Sequence, residues 1–355
     1  MVQNVLVKLL LSPFSLLYGL IISMRNFFFH IGLIKRSSFN IPVINIGNLS
    51  IGGAGKTPHV EYLIRLLKPY INTSVLSRGY GRKSKGFLFV EPGGNANDFG
   101  DEPLQYKRKN KDLVVAVSES RALGIPEMIK NYPTIHTVLL DDAFQHLAVE
   151  ASLDILLTEQ TNLFTDDYLL PSGRLREWRS AYKRADIIIV TKCRPGFDEE
   201  QKASIIDKIK PEPNQKIFFS HYVYGDPYNI YNAQQRVKLD EHNTILMVSA
   251  IANTDYLSHY LESLGCELEH IQFEDHHYFT EHEVSVIKET YEKIENPNKI
   301  LLSSEKDAMR LDLHQKFIVS NQIPIFALPI KVEFLFEEGK LFDEAIKSHL
   351  INFKI

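Results

Sequence analysis

Ser50-Ile51-Gly52-Gly53-Ala54-Gly55-Lys56-Thr57 lies between the apolar run Val43–Ile46 and a helical pattern that begins at Pro58. The glycines leave main-chain N–H groups free to turn toward a common point. A helix opening directly behind them offers its positive end to the same point. A strand, such a turn and a helix in that order form a phosphate cradle, a P-loop. Lys56 is placed to reach the β- and γ-phosphates of a nucleotide, and the Thr57 hydroxyl to ligate Mg²⁺. Pro58 is tolerated because an N–H in the first helical turn has no intrahelical partner. One departure is visible: the usual pattern opens with Gly where this chain has Ser50. The expected ligands are ATP and Mg²⁺.

Working outward, short β-branched runs alternate with helical patterns. Strands are expected at Val43–Ile46, Ser74–Leu76, Leu113–Val117, Thr137–Leu140, Leu153–Leu157, Asp186–Val190, Thr244–Val248 and Lys299–Leu302. Several are continuous apolar runs, as in strands buried on both faces. Val60, Leu63, Ile64 and Leu67 recur at helical spacing after the loop. This alternation predicts an α/β fold: a P-loop NTPase-like, mostly parallel sheet flanked by helices. Thr137–Leu140 ends in Asp141 and Asp142, an apolar strand carrying two acids to the metal as a Walker B strand does. Phe144-Gln145-His146 follows at the end of the sheet where ligands bind in open parallel sheets.

The Lys-Pro-Glu-Pro-Asn composition near 210–214 suggests a boundary. Phe218–Tyr224 and Tyr228–Tyr231, split by Gly225-Asp226-Pro227, suggest a two-stranded connection. The expected division is 1–36, an apolar membrane-associating helix region; 37–214, the P-loop domain; 215–236, the connection; and 237–355, a second, smaller α/β domain.

Net charge is −4 over 355 residues, so no global basic field points to nucleic acid. The two cysteines, Cys193 and Cys266, fit no metal spacing and suit a reducing compartment. Leu9–Met24 carries no charge, with Lys8 before it and Arg25 after. It falls short of the about 20 apolar residues of a spanning helix, and Arg25 and Phe27–Phe29 stand where a signal peptidase would need small residues. A helix lying in the membrane interface or packed on the protein is expected ahead of a span or a signal peptide. Lys35 and Arg36 would suit an anionic membrane face.

Seven segments, in order, resemble the tetraacyldisaccharide 4′-kinase family, the lipid A 4′-kinases. They are Asn48–Pro58, Ser77–Arg82, Gly100–Pro103, Asp141–His146, Leu170–Glu177, Phe273–Tyr278 and Ser304–Ala308. Ala143 and Trp178 depart from the family's habit. The resemblance implies transfer of the ATP γ-phosphoryl group to the 4′-hydroxyl of an acylated glucosamine disaccharide 1-phosphate. It implies an enzyme at the cytoplasmic face of the inner membrane, with no obligate protein partner. It further implies an Asp–His pair at the hydroxyl, which here is Asp101 and His276. A carboxylate takes the hydroxyl proton and a histidine tunes and orients it. These two are expected to come from different domains, so that closure completes the site. Arg78 and Arg176 lie in family-like segments and are candidates for phosphate, since guanidinium forks suit phosphate oxygens. Arg121 and His146 are further substrate candidates, and Glu177 is a candidate beside Thr57, Asp141 and Asp142 at the metal. Arg174–Arg184 holds five basic residues, and Thr191-Lys192 is placed to contact a purine.

Two other readings compete. A membrane-attached ATPase switch with a deviant loop would carry a Lys before the paired glycines, where Ser50 and Ile51 stand. A kinase of a soluble metabolite leaves the apolar N-terminus without a purpose.

Overall fold

The β-branched runs form strands because both their faces are covered. Ile187–Thr191, Thr137–Asp141 and Val43–Asn48 are buried at every position. The computed structural model describes residues 2–251 and 253–354. All eight expected strands are present, most of them one or two residues longer than their apolar runs.

The chain divides into two compact units, residues 1–78, 113–222 and 332–355, and residues 79–112 and 223–331. In the first, parallel strands run in the order Lys216–Tyr224, Ile187–Thr191, Leu153–Glu159, Val43–Asn48, Thr137–Asp141, Thr73–Ser77 and Val114–Val117. Register then decides what meets at the sheet's carboxyl end. Ile46 lies beside Asp141, and Asn48 beside Leu157. The loop leaving the central strand and the acids ending its neighbour therefore emerge together.

The second unit holds a six-stranded sheet, in the order Asn232–Arg236, Tyr228–Asn229, Ile325–Leu328, Lys299–Ser304, Thr244–Ser249 and Glu267–Gln272. Its central strands are parallel, and Tyr228–Asn229 joins antiparallel. Helix Asp101–Lys109 belongs to this unit, fastened to it by Lys109–Glu305 (2.8 Å) and by Arg108 on Asp312.

These facts correct three expectations. Residues 79–112 fold with the second unit, and 332–355 return to the first, where Tyr62 Oη donates to Asp343 at 2.8 Å. The two-stranded connection does not form: Lys216–Tyr224 extends the first unit's sheet, with Phe218, Phe219 and Ser220 buried, and Tyr228–Asn229 joins the second. An aromatic run suits either place equally, so composition did not discriminate. Finally, Asp101 and His276 lie in one unit rather than two.

Helix Val2–His30 runs well beyond the uncharged stretch, through Arg25. Its small and polar residues face the segment 169–178. Ser15 Oγ donates to Leu169 O (3.1 Å), Tyr18 Oη to Arg176 O (2.9 Å), and Trp178 Nε1 to Ser23 Oγ (2.9 Å) and Gly19 O (3.2 Å). A Cβ on Gly19 would sit 2.4 Å from the Trp178 ring, so glycine permits this approach. Trp178, a departure from the family's habit, is thus a docking residue. Leu9, Leu10, Phe14, Leu16, Leu17, Leu20 and Ile21 point away and are exposed. Apolar surface turned outward on an isolated helix is expensive in water and favourable in lipid.

Candidate active-site residues

In the first unit, the loop is built by left-handed glycines and a web of short contacts. Gly52 has φ +108° and Gly55 φ +86°, conformations that glycine adopts without a Cβ clash. Gly55 caps helix Lys56–Leu67, so Lys56 and Thr57 open its first turn. His59 fixes the loop from behind, Nδ1 on Gly55 O (2.7 Å) and Nε2 on Ser220 Oγ (3.0 Å). Burial pushes this imidazole down to about 4 and keeps it neutral. Ile51 N donates to Arg174 O at 2.7 Å, and Arg176 N to Leu49 O at 2.7 Å, so the 174–176 segment runs along the loop's entrance.

Lys56 Nζ lies 3.1 Å from Asn48 Oδ1 and 3.7 Å from Asp142 Oδ2. Arg176 reaches the same two residues, 2.6 Å to Asn48 Oδ1 and 2.9 Å to Asp142 Oδ1. Asp142 has φ +49°, a left-handed turn that aims its carboxylate at both cations. Burial works to raise this carboxyl, but Lys56 and Arg176 outweigh it and hold it down at about 2. Asp142 is therefore an anion throughout the physiological range. Asp141 is buried, and its Oδ2 accepts from Ser77 Oγ at 3.2 Å. Asn48 opens the first family-like segment but was not singled out as a site residue; its place two positions before Ser50 was the available signal.

Other candidates take different places. Arg121 is buried and donates to the carbonyls of Asp141 (3.2 Å) and Asp142 (3.3 Å), so it shapes the acidic turn from within rather than presenting itself to a substrate phosphate. Its main-chain N–H donates to His146 Nε2 at 3.3 Å, which leaves the ring proton on Nδ1. Burial, with Arg121 and Arg78 nearby, pushes His146 down to about 4. Arg78 is exposed and forms no ion pair among the described residues, so its fork is open to an anion. The basic cluster at 174–184 dissolves. Arg174 pairs with Asp167, Lys183 with Glu212 and Arg184 with Glu177, while Arg179 donates to Asp167 O; only Arg176 turns to the loop. Thr191 Oγ1 donates to Ala54 O at 2.9 Å and so braces the loop, and Lys192 pairs with Glu159 at 2.9 Å at the end of the neighbouring strand.

Glu177 also departs from expectation. It is fully buried, and its oxygens accept from Arg184 (2.9 Å), Asn26 (2.9 Å) and Arg25 (3.5 Å). It anchors the N-terminal helix through Asn26 and Arg25. Glu177→Gln is expected to cost about 3 kcal/mol of stability, because it leaves two cations without their buried counter-charge. Chemical denaturation measures this, and the Mg²⁺ dependence of turnover should be unchanged.

The oxygens fit a magnesium ion. Thr57 offers a hydroxyl and Asp141 and Asp142 offer carboxylates, and no group of three or more His, Cys, Asp or Glu placed to hold a metal ion by themselves exists among the described residues. Mg²⁺ is commonly held by one or two carboxylates together with substrate phosphates and water, not by an all-protein cage.

In the second unit, Asp101 opens helix Asp101–Lys109 and is 3% exposed. His276 Nδ1 lies 3.8 Å from Asp101 Oδ2, an ion-pair distance longer than a hydrogen bond. His276 is held at φ +61°, its N–H on Ala250 O (3.1 Å) and its ring 4.7 Å from Tyr80. Burial, and then the negative charge of Glu102, push the Asp101 carboxyl well above the usual range. Glu102 goes the other way: burial opposes ionisation, but Lys306 at 2.7 Å holds it well below. Burial and Lys306 push His276 down. A carboxylate lifted toward neutrality next to a neutral imidazole is suited to taking and returning a proton.

The chain matches the family described as Tetraacyldisaccharide-1-P 4′-kinase over residues 7–350. It is 40% identical over 347 residues to the Tetraacyldisaccharide 4′-kinase of Bacteroides fragilis, covering 96% of this chain and 92% of that one. The Flavobacterium psychrophilum protein of the same name is 42% identical over 346 residues, with 96% of each covered. Among solved structures, LpxK from Aquifex aeolicus in complex with ATP superposes with a TM-score of 0.73 at 28% identity, covering 97% of this chain and 99% of that one.

Proposed function

Because this chain belongs to the tetraacyldisaccharide 4′-kinase family, we infer that the residues assembled above carry out an ATP-dependent phosphorylation of a lipid A precursor. The protein is a phosphotransferase that uses an alcohol as acceptor. It moves the ATP γ-phosphoryl group onto the 4′-hydroxyl of a tetraacyl glucosamine disaccharide 1-phosphate. The observation that carries the assignment of roles is the meeting of Lys56, Asn48, Asp142 and Arg176 at the mouth of a glycine loop.

The amides of residues 50–57 bind the triphosphate, and Lys56 neutralises charge that builds on the β- and γ-oxygens. Arg176 is a second cation for the same oxygens, released from Asp142 as the nucleotide enters. Thr57, Asp141 and Asp142 would hold Mg²⁺, which supplies charge neutralisation and orients the phosphates when bound. Asp101 accepts the proton of the 4′-hydroxyl as the new O–P bond forms and the bond to ADP breaks, and His276 tunes it. Arg78 and His146 are candidates for the acceptor's polar groups. The outward apolar face of the N-terminal helix supports association with the inner-membrane surface at its cytoplasmic side, where ATP is found. That helix is long and apolar enough to cross a bilayer, so anchoring by one helix is compatible with its composition.

Radiolabel from γ-labelled ATP tests the assignment against an ATPase switch. The label is expected on the glycolipid; its appearance only as inorganic phosphate would make the protein a switch. Deleting residues 1–30 tests the membrane role. Activity on the acylated acceptor and retention on vesicles should both fall, and a truncated protein that keeps both would favour a soluble substrate.

A further inference from the structure

Helix Glu305–Leu311 carries Lys306 and Arg310 four residues apart, a spacing that puts them on one face. Both direct their charge at a single atom. Arg310 Nε is 3.3 Å from Asp101 Oδ2, and Lys306 Nζ is 3.8 Å from it. That oxygen is buried and accepts no hydrogen bond from the described residues. Native structures rarely leave a buried carboxylate oxygen in this condition, and a purely structural ion pair would satisfy it. An oxygen ringed by cations yet lacking a hydrogen-bond donor is poised for a donor that arrives from outside.

The surroundings fix this geometry firmly. Arg310 is 1% exposed. Its Nη1 donates to Ala250 O (3.1 Å) and His277 O (3.2 Å), and Nη2 lies 2.8 Å from Asp307 Oδ1. Asp307 is fixed in turn by Ser304 Oγ (2.8 Å) and Ala250 N (3.2 Å). Arg310 thus ties the carboxylate to the 276–277 turn that carries the histidine. Lys306 lies 2.7 Å from Glu102 Oε1 and 3.5 Å from His276 Nε2.

We infer that Lys306 and Arg310 are positioning residues for the transfer: two cations that keep the Asp101 carboxylate charged and fixed, so that Oδ2 can accept the acceptor hydroxyl's proton. The inference rests on the reading of Asp101 as the base. No charge is created or lost overall. The hydroxyl O–H breaks, its proton goes to Oδ2, the oxygen forms the bond to phosphorus, and the bond to ADP breaks. The groups that face Asp101 are Glu102 on its own helix, Lys306 and Arg310 on the neighbouring one, and His276 and Tyr278 on the 275–278 turn. Burial and Glu102 favour the protonated acid, while Lys306 and Arg310 oppose them. Removing either cation makes the Asp101–Glu102 pair hold its proton more tightly. The base then becomes available only at higher pH.

The test uses the full chain with tetraacyl disaccharide 1-phosphate, detergent and Mg-ATP. Lys306→Met should lower kcat by about 10- to 100-fold with KM for both substrates little changed, and move the acidic limb of kcat/KM to higher pH. Lys306→Arg should restore most of the rate and return the limb. In an Asp101→Asn background, Lys306→Met should cost nothing further, because both act on one step. Arg310→Met should show the same limb shift, and Arg310→Lys, which keeps the charge but not the fork, should leave the limb near its native place, with the melting temperature monitored alongside. A Lys306→Met enzyme with native kcat and a native limb overturns the inference, as does a full additive loss in the Asp101→Asn background. If Asp101→Asn alone retains native turnover, the base assignment itself is wrong and the inference falls with it.

Discussion

Replacing Asp101 by Asn is expected to lower turnover by about 10²- to 10⁴-fold, the contribution usual for a positioned general base. ATP affinity should stay near its native value. The reasoning is chemical. A sugar hydroxyl is a weak nucleophile, and the carboxylate of Asp101 is buried, lifted toward neutrality and free of hydrogen bonds at Oδ2. Asn is the better variant than Ala, because it fills the same volume between Lys306 and Arg310. It still removes the charge that those cations face, so its melting temperature is measured alongside. Single-turnover rates at saturating ATP separate the two effects: a slow chemical step in a folded, ATP-binding enzyme is the expected result. Native single-turnover rates would remove Asp101 from the proton transfer.

Lys56→Met is expected to weaken ATP binding and to lower kcat as well, by about 10²- to 10³-fold for the loss of one preorganised charge at the transferring group. Two consequences act together. The phosphates lose an ammonium ion, and Asp142 loses one of the three cations (Lys56, Arg176 and Arg121) that hold it at about 2. Its carboxyl should rise, though Arg176 at 2.9 Å keeps it ionised near neutrality. The measurement is nucleotide titration together with steady-state kinetics. A raised KM with native kcat would mean that Lys56 binds the ground state and the transition state equally.

The fold's central part could be read from the chain because parallel strands buried on both faces leave uninterrupted β-branched runs, as in Ile187–Thr191. Glu267–Gln272 was missed for the complementary reason: it is an edge strand, mostly exposed, and its Glu-Leu-Glu-His-Ile-Gln pattern holds no apolar run. The discontinuous units were not legible either. Nothing local in residues 79–112 records that helix Asp101–Lys109 packs on helix Glu305–Leu311, some two hundred positions later. At the loop, glycine content and the following Lys-Thr sufficed, because backbone conformation is dictated there by residue type. Charge was less informative. Glu177 and Arg121 are charged residues in family-like or basic surroundings, yet their partners are an N-terminal helix and two main-chain carbonyls. Only coordinates distinguish a cation that meets a ligand from one that holds a turn. Lys306 lies in the family-like segment Ser304–Ala308, but its target, like that of Arg310, lies on another helix and could not be inferred from spacing.

Phosphorus NMR of the lipid product after incubation of tetraacyl disaccharide 1-phosphate with Mg-ATP tests the central claim most directly. A second phosphomonoester attached at the 4′ carbon is the expected outcome, forming about 10²- to 10³-fold more slowly when the Lys56→Met enzyme replaces the native one. ATP consumed with the lipid still carrying its 1-phosphate alone, or new phosphate at a different carbon, would contradict the account.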